Sequence, residues 1–304
     1  MNLNKLKRLL HRNNRVLNIV HKDLDGVGCS IILQNIYKNI SYTNLKYGDV
    51  DNYLKNLNFD DYDVIIMADI SPEQESSLDL SDKIVLLDHH DTATRLNNHE
   101  KFRFIVEGNS ATNLVKNFFE NLFHLDLSYL NDLCHKIDLY DCFKHKMLDP
   151  SWELNELYFY YYDTDFRRRF GNGNTKLSED EQNFVNNQKK ILMETYRNLD
   201  IYSCETVNMC FFMENRFVND LCHLSMEKDG FDVSICINTK SKSCSVRSKN
   251  KDLHIGKMLQ EIPNLNGGGH SASGAFRIDP NQEISIKIEM IEQYLYKNFK
   301  GMRK

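Results

Sequence analysis

Two nearly continuous apolar runs, each closed by an aspartate, constrain this chain most: Asp63-Val-Ile-Ile-Met-Ala-Asp69 and Lys83-Ile-Val-Leu-Leu-Asp88. Apolar runs without alternation are what strands look like when helices cover both faces of a parallel sheet. Val16-Leu-Asn-Ile-Val20 has the same character. It leads through a polar turn into a helix-like run from about Val27 to Tyr37, and residues 111–123 and 127–147 repeat apolar side chains at three and four. Strands alternating with helices over residues 1–150 predict an α/β domain built on a parallel sheet.

At 304 residues the chain has room for about two domains of roughly 150 residues each. An aromatic-rich stretch, 152–170, ends in Arg167-Arg168-Arg169-Phe170 and is followed by the turn-rich Gly171-Asn-Gly-Asn-Thr-Lys. Ser178 and Glu181 then form a capping box that opens a helix to about Asn198. Beyond it, strand-like segments near 207–213, 231–237, 243–247 and 273–278 accompany helices near 252–260 and 283–299, predicting a smaller α/β domain. The boundary falls in or beside the 178–198 helix, giving domains 1–185 and 186–304.

Composition excludes several classes. A chain 41% hydrophobic and 27% charged is ordinary globular material, and its net charge of −5 does not fit a general binder of long polyanions. No run approaches the ~18 apolar residues of a membrane span. The basic N-terminal stretch lacks the apolar core of an export signal and reads as a first surface helix. The eight cysteines contain no C-x-x-C and sit in apolar runs, as in a reducing, cytoplasmic setting. Cys134, His135, Cys142 and His145 invite a zinc reading, but their spacing matches no common zinc module.

The acids and histidines gather where these strands end. His21-Lys-Asp23-Leu-Asp25-Gly26 follows the first strand, Asp69 closes the second, and Asp88-His89-His90 closes the third. Ligands of open parallel sheets bind at the carboxyl ends of strands. If these strands are neighbours, all seven side chains converge on one crevice, an expensive gathering of like charge unless cations hold it. Mixed imidazole and carboxylate donors suit Mn²⁺ or a related octahedral ion. Taken singly, Asp23 or Asp25 reads as an ordinary helix cap. Gly26-Val-Gly28 also raises a dinucleotide-binding turn, but Ile31 stands where its third glycine belongs and two carboxylates would meet the pyrophosphate.

These residues resemble the DHH phosphoesterase superfamily. Ser245-Val-Arg247-Ser248 and Gly267-Gly268-Gly269-His270 are similar to the two signatures of the DHH-associated substrate-binding domain, and the motifs follow the family's order along nearly the whole chain. The branch resembled is that of nano-RNases, pAp phosphatases and cyclic-dinucleotide phosphodiesterases, with RecJ-like exonucleases further off. The resemblance implies a DHH domain and a DHH-associated domain with the active site in the cleft between them. It implies two divalent cations, Mn²⁺ with Mg²⁺ or Co²⁺ as alternatives, held by His21, Asp23, Asp25, Asp69, His89 and a later aspartate. Asp141, in an Asp-x-aromatic ending, is favoured for that last place over Asp138. By the same resemblance His90 touches the scissile phosphate, Asp88 orients a histidine, and Ser245, Arg247, Gly267, Gly268, Gly269 and His270 bind substrate.

Two-cation hydrolysis needs many carboxylates and no nucleophilic side chain, and no Ser-His-Asp or Cys-His arrangement competes here. There is no G-K-[ST], so a triphosphate P-loop is excluded. The expected activity is a phosphodiesterase, an oligoribonuclease-type hydrolase cutting short oligonucleotides to mononucleotides. Hydrolysis of a cyclic dinucleotide or of pAp is the alternative, followed by a RecJ-like single-strand exonuclease, and a nucleotide-sensing scaffold is the non-enzyme alternative. The basic stretch Lys240–Lys251 reads as a solvated face apart from Arg247, and Arg167–Arg169 are a candidate guide for an oligonucleotide. No protein partner or membrane contact is evident, and a homodimer is left open. Asp25→Ala and Asp69→Ala are expected to abolish hydrolysis while leaving the fold intact.

Overall fold

The computed structural model describes residues 2–250, 252–265, 267–269, 271–278 and 284–304. The chain divides into two compact units, residues 1–185 and 186–304. The first carries α1 (Leu3–Leu9), β1 (Val16–His21), α2 (Leu24–Gln34), β2 (Ile40–Leu45), α3 (Val50–Asn56), β3 (Val64–Ala68), β4 (Ile84–Asp88), β5 (Arg103–Ile105), α4 (Ala111–Phe123), α5 (Asn131–Asp141) and α6 (Pro150–Phe170). The division falls within α7 (Glu179–Arg197).

All five strands pair in parallel, in the order β2-β1-β3-β4-β5. Leu17, Ile19, Ile65, Met67, Ile84 and Leu86 share one core with Val50 and Leu54 of α3. The residues between them face the opposite side, where α2 packs, so both faces are buried and the apolar runs need no alternation. Asn18, the one polar interruption in β1, is buried but paired. It accepts a hydrogen bond from Ser30 Oγ of α2 (2.7 Å) and donates to the Ile66 carbonyl (3.2 Å).

Gly26 and Gly28 are packing glycines rather than a phosphate turn. A Cβ on Gly26 would lie 2.1 Å from the His21 carbonyl, and one on Gly28 would lie 2.2 Å from Thr112 Oγ1. They seat α2 on the end of β1 and against α4.

Several elements differ from the sequence expectation. The helix expected over 127–147 is only α5, because Phe143 takes a left-handed φ of 55° and the Lys144 and His145 amides both turn back to the Leu139 carbonyl (2.8 and 3.0 Å). The aromatic stretch is α6, broken at Tyr162 (φ 56°, ψ 179°). Its three arginines do not form a stripe. Arg167 stacks 4.0 Å from the Tyr42 ring, Arg169 pairs with Glu181 at 2.7 Å, and Arg168 alone of the three is widely exposed, beside Asp165.

The capping box opens α7: the Ser178 amide donates to Glu181 Oε2 (2.6 Å) and the Glu181 amide to Ser178 Oγ (3.3 Å). Glu181 also accepts from Arg169 Nε and Tyr161 Oη (2.7 and 2.8 Å). Burial works against its charge, but these donors prevail and hold the carboxyl at about 2. A lowered folded-state pKa gives stability that is present above the unfolded value near 4.5 and lost as pH falls through about 2. Glu181→Gln should therefore cost about 3 kcal/mol at neutral pH. Urea unfolding from pH 7 to pH 2 should show wild type and variant converging; a constant gap would remove the charge from the account.

The second unit carries β6 (Tyr202–Ser203), β7 (Met209–Met213), α8 (Val218–Lys228), β8 (Val233–Asn238), β9 (Ser243–Ser248), α9 (Ile255–Glu261), β10 (Gly267–Gly269), β11 (Ser273–Arg277) and α10 (Ile284–Asn298). Its sheet runs β10-β11-β9-β8-β7-β6, and only the β7–β8 pair, joined through α8, is parallel. Val233, Ile235, Val246, Met258, Leu259, Phe276 and Ile291 form its core. The three glycines make an edge strand paired to β11 rather than a plain turn.

Candidate active site

β1, β3 and β4 are neighbours, so His21, Asp69 and Asp88 stand side by side at their carboxyl ends. The strand order reverses between β1 and β3, where sheets of this topology open a crevice. Asp23 caps α2, its Oδ1 accepting from the Gly26 amide at 2.9 Å, while Oδ2 lies 2.5 Å from His21 Nδ1. The capping role and the site role are thus combined in one carboxylate.

Asp25 is 2% exposed and closes a different helix. Its two oxygens accept the first amides of α4, Ala111 at 2.7 Å and Thr112 at 2.8 Å. This changes the expectation for Asp25→Ala, which leaves two buried amides without an acceptor. Each costs about 1–3 kcal/mol. The variant should lose activity and also lower the thermal midpoint by several degrees, whereas Asp25→Asn retains one acceptor and loses less. Equal midpoints for Asp25→Ala and wild type would remove the cap from the account.

Asp69 sits just past β3 with a left-handed φ of 61° and is 1% exposed. Its Oδ1 is 3.2 Å from His89 Nε2, which also lies 3.5 Å from Asp25 Oδ2 and 3.5 Å from Asp141 Oδ2. Three groups of metal-capable atoms result, each within 4.8 Å: Asp69, Asp88, His89 and His90; His21, Asp23 and Asp69; and Asp25, His89 and Asp141. Asp69 belongs to two of them and His89 to two. Among the described residues no such group includes Cys134, His135, Cys142 or His145.

The two late aspartates part company. Asp138 accepts the Ser110 amide (2.7 Å) and pairs with Lys144 (3.2 Å), contacts that overcome burial and hold its carboxyl below the ordinary range. Asp141 faces Asp25 and His89, and burial with the Asp25 charge pushes its carboxyl up to about 8. Asp69 is raised well above its ordinary value by burial and by Asp23, Asp25 and Asp141. Asp25 is raised as well, chiefly by burial. Burial opposes the charge of Asp23 too, but His21 and the Gly26 amide bring it to about 2. Asp69 Oδ2, enclosed by protein, has no hydrogen-bond partner among the described residues. An unpaired buried carboxylate oxygen among several acids and two imidazoles fits divalent cations.

Asp88 serves another purpose. Its Oδ1 accepts from His90 Nδ1 (2.7 Å) and from the His89 amide (2.7 Å), and Ser71 Oγ donates to Oδ2. Burial disfavours its charge, but His90 and these donors hold it far below the carboxylate range. With Nδ1 directed at Asp88, His90 presents Nε2, which lies 2.6 Å from Tyr47 Oη. Neither Ser71 nor Tyr47 stands out in the sequence. The sole local cue is the Tyr47-Gly-Asp turn, which follows the half-exposed strand β2.

In the second unit, Ser245 and Arg247 share one face of β9, and β11 lies between them and the glycine strand. Gly267 is enclosed by Ala275 and Leu259, and Gly269 has a φ of 148° with its Cβ position 2.3 Å from the Ser273 carbonyl. Gly268 is the least crowded of the three, a Cβ there meeting only Gln260 Nε2 at an ordinary contact distance of 3.7 Å. His270 lies outside the described residues.

Fold and site together define the class. Residues 15–134 match the DHH family, N-terminal domain, a match that marks the chain as a hydrolase of the phosphoesterase or nuclease kind. Among individual proteins it is similar to oligoribonuclease NrnB of Bacillus subtilis (strain 168), 25% identical over 86% of this chain and 76% of that protein. In fold it is similar to the pGpG-specific phosphodiesterase PggH from Vibrio cholerae, with a TM-score of 0.54, 15% identity, and 92% of this chain and 99% of that one covered. It is also similar to RecJ from Thermus thermophilus in complex with Mn²⁺, with a TM-score of 0.57, 10% identity, and 96% of this chain and 54% of that one covered. Among the described residues no helix is long and apolar enough to cross a membrane.

Proposed function

We propose that this protein is a Mn²⁺-dependent phosphodiesterase that hydrolyses short oligonucleotides to mononucleotides. The observation that carries the reading is the buried, half-unpaired Asp69 carboxylate set among Asp23, Asp25, Asp141 and His89. His21, Asp23, Asp25, Asp69, His89 and Asp141 would hold two divalent cations, with Mg²⁺ or Co²⁺ as alternatives to Mn²⁺. When bound, such ions lower the pKa of a water and offset charge on phosphoryl oxygens. Asp138, committed to Ser110 and Lys144, is left out of the set.

The chain's own contribution is orientation. Asp88 accepts a hydrogen bond from His90 Nδ1–H, which sets the ring so that Nε2 would meet an oxygen of the scissile phosphate. In the second unit Arg247 and Ser245 would bind the distal part of the substrate. A guanidinium grips phosphate through paired donors, and Gly268 leaves the backbone approachable. The names of NrnB and PggH both support a short-nucleotide substrate, and the RecJ complex supports manganese.

The test is turnover with Mn²⁺ on one panel: pGpG, a 5-mer RNA, a 20-mer single-stranded DNA, cyclic di-AMP and pAp. Release of mononucleotides from pGpG and the 5-mer is the expected result. Preference for cyclic di-AMP, for pAp or for the 20-mer would replace it with the corresponding alternative.

A further inference from the structure

Tyr47 is placed at the site by the loop that follows β2. Its side chain is 49% exposed, yet its hydroxyl reaches inward to within 2.6 Å of His90 Nε2. Its ring lies 4.3 Å from the His21 ring and 5.4 Å from the His90 ring, measured between centroids. The phenol therefore borders two of the three histidines of the acidic crevice, His21 and His90, while its side chain remains reachable from solvent.

The geometry at His90 gives this position its meaning. Asp88, an acceptor-only carboxylate, takes Nδ1–H at 2.7 Å, so an incoming phosphate oxygen has Nε2 to approach. The place it must reach is where the Tyr47 hydroxyl now stands. A phenol is protonated at neutral pH and can donate. It need only shift aside for its O–H and, with the ring protonated on both nitrogens, the His90 Nε2–H to converge on one anionic oxygen.

We propose that Tyr47 is a catalytic residue in the sense of touching substrate: its hydroxyl donates to a non-bridging oxygen of the scissile phosphate beside His90. The proposal rests on the phosphodiesterase reading above. It assigns the residue no part in holding cations and no proton transfer, only a hydrogen bond to a charged oxygen.

Tyr47→Phe removes that donor and leaves the ring. In the full Mn²⁺-loaded chain, kcat/KM for pGpG and for bis(4-nitrophenyl) phosphate, which shares only the phosphodiester, should fall about 10- to 100-fold. Metal content and thermal midpoint should stay unchanged. Affinity for a hydrolysis-resistant methylene-bridged dinucleotide supplies the second readout. Tyr47→Phe should weaken it in both the wild-type and the His90→Ala backgrounds. An effect present with His90 and absent without it would make Tyr47 a positioning residue and overturn the proposal. An active enzyme indifferent to Tyr47→Phe would overturn it too. A wild-type protein inert toward both substrates would instead remove the phosphodiesterase reading, and the Tyr47 role with it.

Discussion

Asp69→Asn should reduce turnover by three orders of magnitude or more and yet raise the thermal midpoint of the metal-free protein. Asp69 is buried against Asp23, Asp25 and Asp141, and both burial and their charge disfavour its ionised form. One of its oxygens has no hydrogen-bond partner among the described residues. Such a carboxylate destabilises the metal-free fold, and replacing it by a neutral amide of the same shape relieves like-charge repulsion and supplies a donor to the neighbouring acids. The gain should be about 1–2 kcal/mol, some 2–8 °C for a unit of this size. Asparagine is the informative substitution because the left-handed φ of 61° suits Asn as well as Asp, whereas alanine adds strain there. Scanning calorimetry in chelator and in Mn²⁺ checks it: manganese should raise the midpoint of wild type and have little effect on the variant. A metal-free midpoint lower than wild type, or retained turnover, would remove Asp69 from the centre.

The adjacent histidines should separate binding from turnover. His89 Nε2 faces three carboxylates at 3.2–3.5 Å, so His89→Ala should lose cation affinity together with activity. His90 is engaged with Asp88 and Tyr47, its Nδ1 still 4.0 Å from Asp69 Oδ1. His90→Ala should retain two cations per chain while kcat falls about 10²- to 10⁴-fold, the range for a positioned group acting on the reacting phosphate. Titration calorimetry with Mn²⁺ and steady-state kinetics on the same preparations decide it. Loss of cations from His90→Ala would place both imidazoles among the ligands and leave the phosphate contact without a residue.

Local pattern carried much of this protein. β1, β3 and β4 are visible as apolar runs because helices cover both faces of their sheet, and their terminal acids are visible because they stand next to those runs in the chain. α4 lies where its three-and-four repeat places it, and α7 opens on a capping box that four consecutive residues contain. β2 and β5 escaped for the opposite reason. The first is a half-exposed edge strand and the second is three residues long, so neither has a face pattern to read.

Relations between distant residues came from the folded chain alone. Asp25 reaches amides 86 and 87 positions away to close α4, and Tyr47 meets His90 across 43. Asp138 and Asp141 lie three apart on one helix, and in the sequence only the Asp-x-aromatic ending favours Asp141. They separate because α5 turns the first toward Ser110 and Lys144 and the second toward Asp25 and His89. Side-chain chemistry and local period are written residue by residue, whereas partnership depends on which strand ends the sheet order brings together, and that order is settled by packing over the whole unit.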